Sequence, residues 1–189
     1  IRQTDQSTVT GSDKVQGSTT KNYFGYGTGL RYMFFDPLAV KVSYEHSVRL
    51  PIARELLGNG TTIYANVALK PEKSNNVNLA LFGTWHPAGR HTIYYEANGF
   101  LRYVDNYIQT SVIEKEGMMQ FVNDPAVHIK GVEGEIRYDW DGRLQLMANV
   151  SYQDARDQQK YKEDGKPSAT YDNHVPNRPW LFGNAEASY

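Results

Sequence analysis

Histidines and clustered acids are the residue types that could do chemistry in this chain of 189 residues. His86 and His91 flank a turn and could share a metal ion, but Zn²⁺ needs further protein ligands and no carboxylate is placed as the third. Four acids of one polar stretch could hold Ca²⁺, which prefers several oxygen ligands. They are Asp154, Asp157, Glu163 and Asp164. A solvated surface loop accounts for these acids better than a calcium site does.

Carboxylate pairs and glycine runs indicate no catalytic or nucleotide site. Glu133 and Glu135 lie on one face of an alternating segment, whereas glycoside hydrolysis needs two carboxylates opposed across a cleft. The run Gly25–Gly29 resembles a nucleotide-binding loop, but its glycines alternate with Tyr26 and Thr28 and no helix pattern follows. No set of nucleophile, base and orienting residue stands out. We therefore predict a protein that is not an enzyme and has no cofactor.

The amino-acid composition further limits the class of protein. There are no cysteines, the formal net charge is -1, and basic and acidic residues are mixed along the chain, so nucleic acid is a poor candidate partner. Aromatic residues make up 13%, which suits strands and the aromatic girdles of membrane barrels. A transmembrane helix needs about eighteen apolar residues in a row, and no such run exists. A barrel strand needs only about 9–11 residues with alternating faces, so the mean hydropathy of -0.61 is compatible with a membrane barrel.

Hydrophobicity alternates with period two over about seven segments, which predicts an all-β fold, an antiparallel up-and-down meander of long strands. The segments are about 22–34, 38–50, 74–85, 93–103, 132–138, 144–152 and 179–189. One helical turn is predicted at Ala53–Leu57. Residues 1–21 are predicted as a polar loop or disordered segment, and residues 22–189 as one partial barrel.

The lengths of the connections favour a membrane barrel over a soluble sandwich. Short turns are predicted at 36–37, 86–89 and 139–143, and long connections at 51–73, 109–125 and 153–174. Outer-membrane barrels have short periplasmic turns and long extracellular loops. A soluble β-sandwich also has alternating strands, but it has no reason to sort loop length by end.

The alternation also predicts which residues face lipid and which face the barrel lumen. The residues expected in the lumen are polar: Lys41, Ser43, Glu45, Glu133, Glu135, Gln145 and Asn149. The residues expected to face lipid are apolar: Val40, Val42, Leu79, Leu81, Ile136, Leu146 and Val150. A charge in the middle of the lipid face would be costly.

One stretch carries a family resemblance. It reads Arg49-Leu50-Pro51, then Glu55-Leu56, Asn66, Leu69-Lys70-Pro71-Glu72 and Ser74-Asn75-Asn76. This order of short motifs resembles the late part of the barrel domain of TonB-dependent outer-membrane receptors. Weaker pieces follow in the expected order, such as Lys130-Gly131-Val132-Glu133-Gly134-Glu135 and Val175-Pro176-Asn177-Arg178-Pro179, so the resemblance covers roughly residues 22–189.

The resemblance implies a barrel of about 22 strands around an N-terminal plug, in the bacterial outer membrane and in contact with its lipid. Such receptors take up a scarce nutrient (a ferric siderophore, cobalamin, haem or glycan) with an inner-membrane energy-coupling complex as partner. Haem is the weaker expectation, because haem receptors keep a His in this region and none lies between Pro51 and Leu69. Both ends of the chain look cut, so we interpret it as a barrel fragment without the plug.

Ligand contacts are expected in the long connections, since loops carry binding groups while strands hold them in place. The candidate residues are Arg54, Glu55, Asn59, Tyr64, Asn66, Asn123 and Tyr161. Two alternatives to the receptor remain open at this point. One is a porin or adhesin barrel without a plug, and the other is a soluble glycan-binding β-sandwich.

Overall fold

Most of the chain forms one antiparallel sheet in the computed structural model. The structure describes residues 2–7, 17–87, 89–113, 117–161 and 165–189, with side chains from residue 22 onward. The strands are β1 (Arg2–Ser7), β2 (Gly17–Asn22), β3 (Tyr26–Phe35), β4 (Leu38–Arg49), β5 (Ile63–Tyr64), β6 (Glu72–Trp85), β7 (His91–Ile113), β8 (Met118–Trp140), β9 (Leu144–Asp157) and β10 (Leu181–Ser188). One helix, α1, spans Ala53–Leu57, where the sequence predicts a helical turn.

The main sheet has the order β10-β9-β8-β7-β6-β4-β3, with β5 pairing in parallel to β8. Every neighbour along that path is antiparallel and next in chain order, apart from the short β5. The predicted meander of about seven long strands is therefore confirmed. A sandwich needs two sheets packed face to face, whereas β3 to β10 share one open sheet, so the sandwich alternative is wrong.

The N-terminal segment is more regular than its composition suggests. Strands β1 and β2 pair with each other, from Arg2 opposite Asn22 to Ser7 opposite Gly17. A two-stranded ladder is made by backbone groups and does not require apolar side chains. Polar composition therefore does not exclude strands at 2–7 and 17–22. The division of the chain into a polar or disordered segment at 1–21 and a partial barrel at 22–189 stays a prediction.

The prediction of a long irregular connection at 109–125 is wrong. Strands β7 and β8 have 23 residues each and remain paired from His91 opposite Trp140 to Ile113 opposite Met118. The ladder skips only Asn106, which has a φ of 54°, and the Pro125 across from it. The register is the same on both sides of this gap, so Pro125, which cannot donate to the ladder, interrupts the pairing at one position without ending the strand. Because β6 pairs with β7 only as far as Asp105, residues 106–113 and 117–126 project beyond the neighbouring strands, and we call them the long hairpin.

The register separates the two predicted faces. Lys41 lies opposite Ala80, Ala80 opposite Asn98, and Asn98 opposite Glu133, so one polar rung crosses four strands. The next rung on the other face joins Val42 to Leu79 in the same way. All the residues expected in the lumen share the first, polar face, and all those expected at lipid share the second, apolar face.

Aromatic residues mark both ends of the apolar face. At the end nearer the long hairpin they are Tyr26, Tyr44, Tyr103 and Tyr152, and at the end nearer the short turns they are Tyr32, Phe35, Trp85, Tyr138 and Trp140. Tyr and Trp favour a membrane interface because the ring is apolar and its polar tip stays wet. No helix in the described part of the chain is long and apolar enough to cross a membrane.

The buried core lies on the polar face, towards the long hairpin. Its members are Phe100, Val104, Tyr107, Val127, Ile129, Ala155 and Val175. Phe100 packs over Gly131, where an added Cβ would lie 2.4 Å from the ring. Val175 comes from the connection between β9 and β10 and is held by its N–H bond to the Ala155 carbonyl at 2.9 Å. The core thus fixes the base of the loops, on which the candidate site depends.

Candidate functional site

Arg49, the last residue of β4, joins three elements at the base of the connection between β4 and β6. Its guanidinium donates to both carboxylate oxygens of Glu55 in α1, at 3.0 Å each. It also donates to Glu72 at 3.1 Å, the residue directly opposite on β6. Hydrogen bonds between charged partners are roughly twice as strong as those between neutral ones. The motif residues Arg49, Glu55 and Glu72 therefore form one cluster that closes this connection.

Glu55 is committed to this structural cluster. It is buried, and besides Arg49 it accepts a bond from the backbone N–H of Ile52 at 2.9 Å, three residues upstream. Glu72 in turn accepts the backbone N–H of Ile108, in the long hairpin, at 3.0 Å. The cluster thus links α1, the ends of β4 and β6, and the long hairpin.

Asn59 shapes the turn after α1. Its side-chain oxygen accepts the backbone N–H groups of Thr61, Thr62 and Ile63 at 3.0, 2.9 and 2.8 Å. Gly58 before it has a φ of 68°, and an added Cβ there would lie 2.1 Å from the Ile63 carbonyl oxygen. Only glycine fits that approach, so Gly58 and Asn59 together form the turn that leads into β5.

Asn66 and Asn123 attach the connection to the long hairpin. The Asn66 amide donates to the Phe121 carbonyl at 2.8 Å. The Asn123 side chain accepts the N–H of Lys70 at 2.8 Å and donates to the Lys70 carbonyl at 3.0 Å and to the Asn106 carbonyl at 2.8 Å. Residues 50–71 therefore lie fixed along the hairpin, and we call them the latched loop.

The other predicted ligand residues present side chains to solvent. Arg54 is exposed on α1. Tyr64 in β5 is 40% exposed, and Tyr161, in the connection between β9 and β10, is 66% exposed. The structure thus brings five of the candidate residues, Arg54 to Asn66, into the latched loop and joins Asn123 to them, while Tyr161 lies on a separate connection beside Pro167. Ligand contact by any of the seven candidates stays a prediction.

A second charged cluster lies on the same side of β8 and β9 as the apolar face, at the end nearer the long hairpin. Buried Asp154 accepts from Arg156 at 3.0 Å and lies 3.1 Å from His174 and 3.6 Å from Lys130. Sequence reasoning missed this cluster. One sequence signal could have found it. Along β8 and β9, the alternate positions that hold Val132 and Val150 hold charged residues nearer the long hairpin, which marks where the apolar face ends.

His86 and His91 each contact a neighbouring side chain, and the two rings do not share a metal site. His86 Nδ1 lies 3.2 Å from the hydroxyl of Thr92. His91 Nδ1 lies 2.7 Å from the hydroxyl of Tyr138, and its ring stacks on Trp140. Over the described ranges, no group of three His, Cys, Asp or Glu residues is placed to hold a metal ion.

The comparisons agree with this architecture. The family model for TonB dependent receptor-like β-barrels matches residues 1–189. Among solved structures, the copper transporter OprC is 19% identical, with a TM-score of 0.64 over 96% of this chain and 26% of that chain. The FrpB iron transporter from Neisseria meningitidis (F3-3 variant) is 17% identical, with a TM-score of 0.49 over 84% of this chain and 23% of its own.

No curated protein matches the chain. The chain spans about a quarter of the length of OprC, and at 19% identity that likeness shows the barrel fold alone. The family match covers the motifs around Arg49, the meander and the long hairpin together. This chain therefore belongs to the TonB-dependent receptor β-barrel family, whose members are outer-membrane proteins of Gram-negative bacteria.

Proposed function

We propose that the chain forms part of the barrel wall of a receptor that imports a scarce nutrient across the outer membrane. The nutrient classes are a ferric siderophore, cobalamin or a glycan, and import draws on an inner-membrane energy-coupling complex. The observation that carries the proposal is the two-faced sheet with the latched loop fixed at one end of it. A wall with one apolar and one polar face suits a barrel that separates lipid from a wet lumen.

The apolar face, with Val42, Leu79 and Leu146, then faces lipid. The polar face, with Ser43, Glu133 and Asn149, lines the lumen. The aromatic residues at both ends of the apolar face lie at the two membrane interfaces. In this orientation the short turns are periplasmic, and the latched loop and the long hairpin are extracellular.

The latched loop offers the ligand a preorganised surface. Glu55, Asn59 and Asn66 hold its backbone, while Arg54 and Tyr64 present a guanidinium and a ring to solvent. Guanidinium binds carboxylate or phosphate oxygens, and a tyrosine ring packs against apolar or sugar surfaces. An oxygen-rich ligand therefore fits these two groups. OprC is a copper transporter by name, and copper is included among the substrates to be tested.

Growth of a deletion strain tests the function. We expect the strain to lose growth on one defined source of iron, cobalamin, glycan or copper at a limiting concentration, and to recover with the intact gene. Collapsing the inner-membrane proton gradient should abolish accumulation of that nutrient in the cells. Uptake that continues at the same rate without the gradient would indicate passive diffusion through a porin and overturn the proposal.

A further inference from the structure

Two buried carboxylates lie on neighbouring strands at the base of the long hairpin, outside the apolar face. Asp124 on β8 is 8% exposed and Asp157, at the end of β9, is 7% exposed. Asp124 lies opposite Tyr107, and Asp157 opposite the fully buried Val127. Apolar residues of the core therefore exclude water from both acids.

Two oxygen atoms beside this pair have no hydrogen-bond donor among the described residues. They are Oδ1 of Asp124 and Oε1 of Gln109. Gln109 donates its Nε2 to the other oxygen of Asp124 at 3.2 Å, so its amide lies against the carboxylate. A buried polar atom without a partner is costly, and a buried charge without a partner is more so. Such atoms in a native fold call for a physical explanation, and a bound water or ion is one.

The electrostatics indicate that the missing ligand is positive. Burial first, and the neighbouring charge of Asp157 second, raise the pKa of Asp124 to about 6, although the Ala126 backbone opposes this. The contribution of Asp157 is repulsion between the two carboxylates, which a cation bound near them would relieve. Over the described residues, no Lys, Arg or His forms an ion pair with either acid, whereas Asp154 nearby contacts three such residues.

We propose that Asp124, Asp157 and Gln109 bind a divalent cation of the calcium class. Carboxylate and amide oxygens are the donors that hard cations prefer, and water can complete the six to eight ligands that Ca²⁺ takes. Asp157 also accepts the N–H of Gln159 at 2.7 Å through one oxygen, which leaves the other for the cation. The cation joins β8 to β9 and holds the long hairpin in place under the latched loop.

This site differs from the calcium site considered from the sequence. Of those four acids, Asp154 is occupied by Arg156, His174 and Lys130, and Glu163 and Asp164 lie outside the described residues. Only Asp157 is shared. The inference rests on the fold of the hairpin and not on which nutrient is imported, so it can fail or succeed independently of the proposed function.

The test uses the intact receptor, purified in detergent and stripped with a chelator. Equilibrium dialysis against radioactive Ca²⁺ should show one bound equivalent that Asp124→Asn loses, with affinity reduced more than about tenfold by removal of one of two charged ligands. Asp141→Asn is the matched control, because Asp141 lies in an exposed short turn with a φ of 53°, which asparagine tolerates. Equal Ca²⁺ binding by wild type and Asp124→Asn would overturn the proposal.

A measurement on the wild type alone covers the case in which Asp124→Asn does not fold. Terbium ions replace Ca²⁺, and a nearby tyrosine sensitises their luminescence. Tyr107, the cross-strand neighbour of Asp124, supplies that ring. We expect saturable luminescence that Ca²⁺ displaces at a lower concentration than Mg²⁺. Luminescence that does not saturate, or that Ca²⁺ does not displace, would contradict a calcium-class site.

Discussion

Arg49 and Glu55 form an ion pair across the junction of β4 and α1, with both oxygens of Glu55 3.0 Å from one guanidinium nitrogen. The pair lies inside the sequence motif that carries the family resemblance. Its partners Glu72 and Ile108 extend it to β6 and to the long hairpin. The motif is therefore explained by architecture: it closes the latched loop and places the loop along the hairpin.

Replacing Glu55 by alanine should loosen the latched loop without unfolding the barrel. The change removes the partner of Arg49 and the acceptor for the Ile52 N–H. Three hydrogen bonds are lost, two of them from the half-exposed Arg49 guanidinium, and together they correspond to about 1–3 kcal/mol of local stability. Hydrogen exchange of the backbone amides at 59–66 should speed up accordingly. Glu45→Ala, an exposed acid in the middle of β4, is the control, and equal exchange in both variants would refute the structural role of Glu55.

Replacing Asn123 by alanine should detach the latched loop from the long hairpin. Asn123 makes three side-chain bonds, two to Lys70 and one to Asn106, and their loss should cost about 1–3 kcal/mol. Asn123→Asp keeps the acceptor for Lys70 and loses both donated bonds, so it should lie between wild type and alanine. Limited proteolysis near Lys70 measures the effect. An order in which aspartate is cleaved faster than alanine would contradict this assignment.

Ligand binding should separate the exposed candidates from the structural ones. Arg54→Ala should weaken ligand binding while leaving hydrogen exchange in the latched loop unchanged, because its side chain is exposed. Tyr64→Ala should weaken ligand binding as well. Asn59→Ala should change both, because it holds three backbone N–H groups. Calorimetry with the ligand identified by growth measures the first effect. Unchanged affinity in both exposed variants would remove them from the site.

The pH dependence of hairpin opening should report Asp124. Its pKa is about 6 in the fold against an ordinary value of 3.8, so the folded hairpin holds the proton more tightly than the unfolded chain does. The stability from this group is complete below about pH 4 and is lost as the pH rises through about 6. In metal-free receptor, opening measured by hydrogen exchange, corrected for intrinsic rates, should therefore become easier over this range. Asp124→Asn should remove the trend, and a trend that persists unchanged in that variant would assign it to another group.

The alternation of side chains was sufficient to predict the meander, because a period of two and two differently solvated faces leave one register. The strand Leu38–Arg49 and the helical turn Ala53–Leu57 lie where the sequence places them. The long hairpin was not predictable in the same way. Its residues lie beyond the apolar face, so apolar and polar side chains have no reason to alternate there. In addition, Pro125 is typical of a loop in a local reading of the sequence.

The candidate site was predictable as a region and not as a set of roles. Polar residues of the latched loop are conspicuous in the sequence, but Asn66 and Asn123 are 57 positions apart, and only the fold shows both holding the same loop to the hairpin. The pair Asp124 and Asp157 likewise depends on how β8 aligns with β9. Contacts set by strand register between distant segments are the part that local patterns do not contain.

Arginine at two adjacent positions of β4 tests the division of the sheet into a lipid face and a lumen face. Val42 lies on the apolar face and Ser43 on the polar face of the same sheet. Val42→Arg should cost about 2–4 kcal/mol in a reversible folding assay of the intact receptor in lipid, because it places a charge at the level of the bilayer interior. Ser43→Arg, one residue away, should cost far less. Equal costs at the two positions would contradict the division of this sheet into a lipid face and a lumen face.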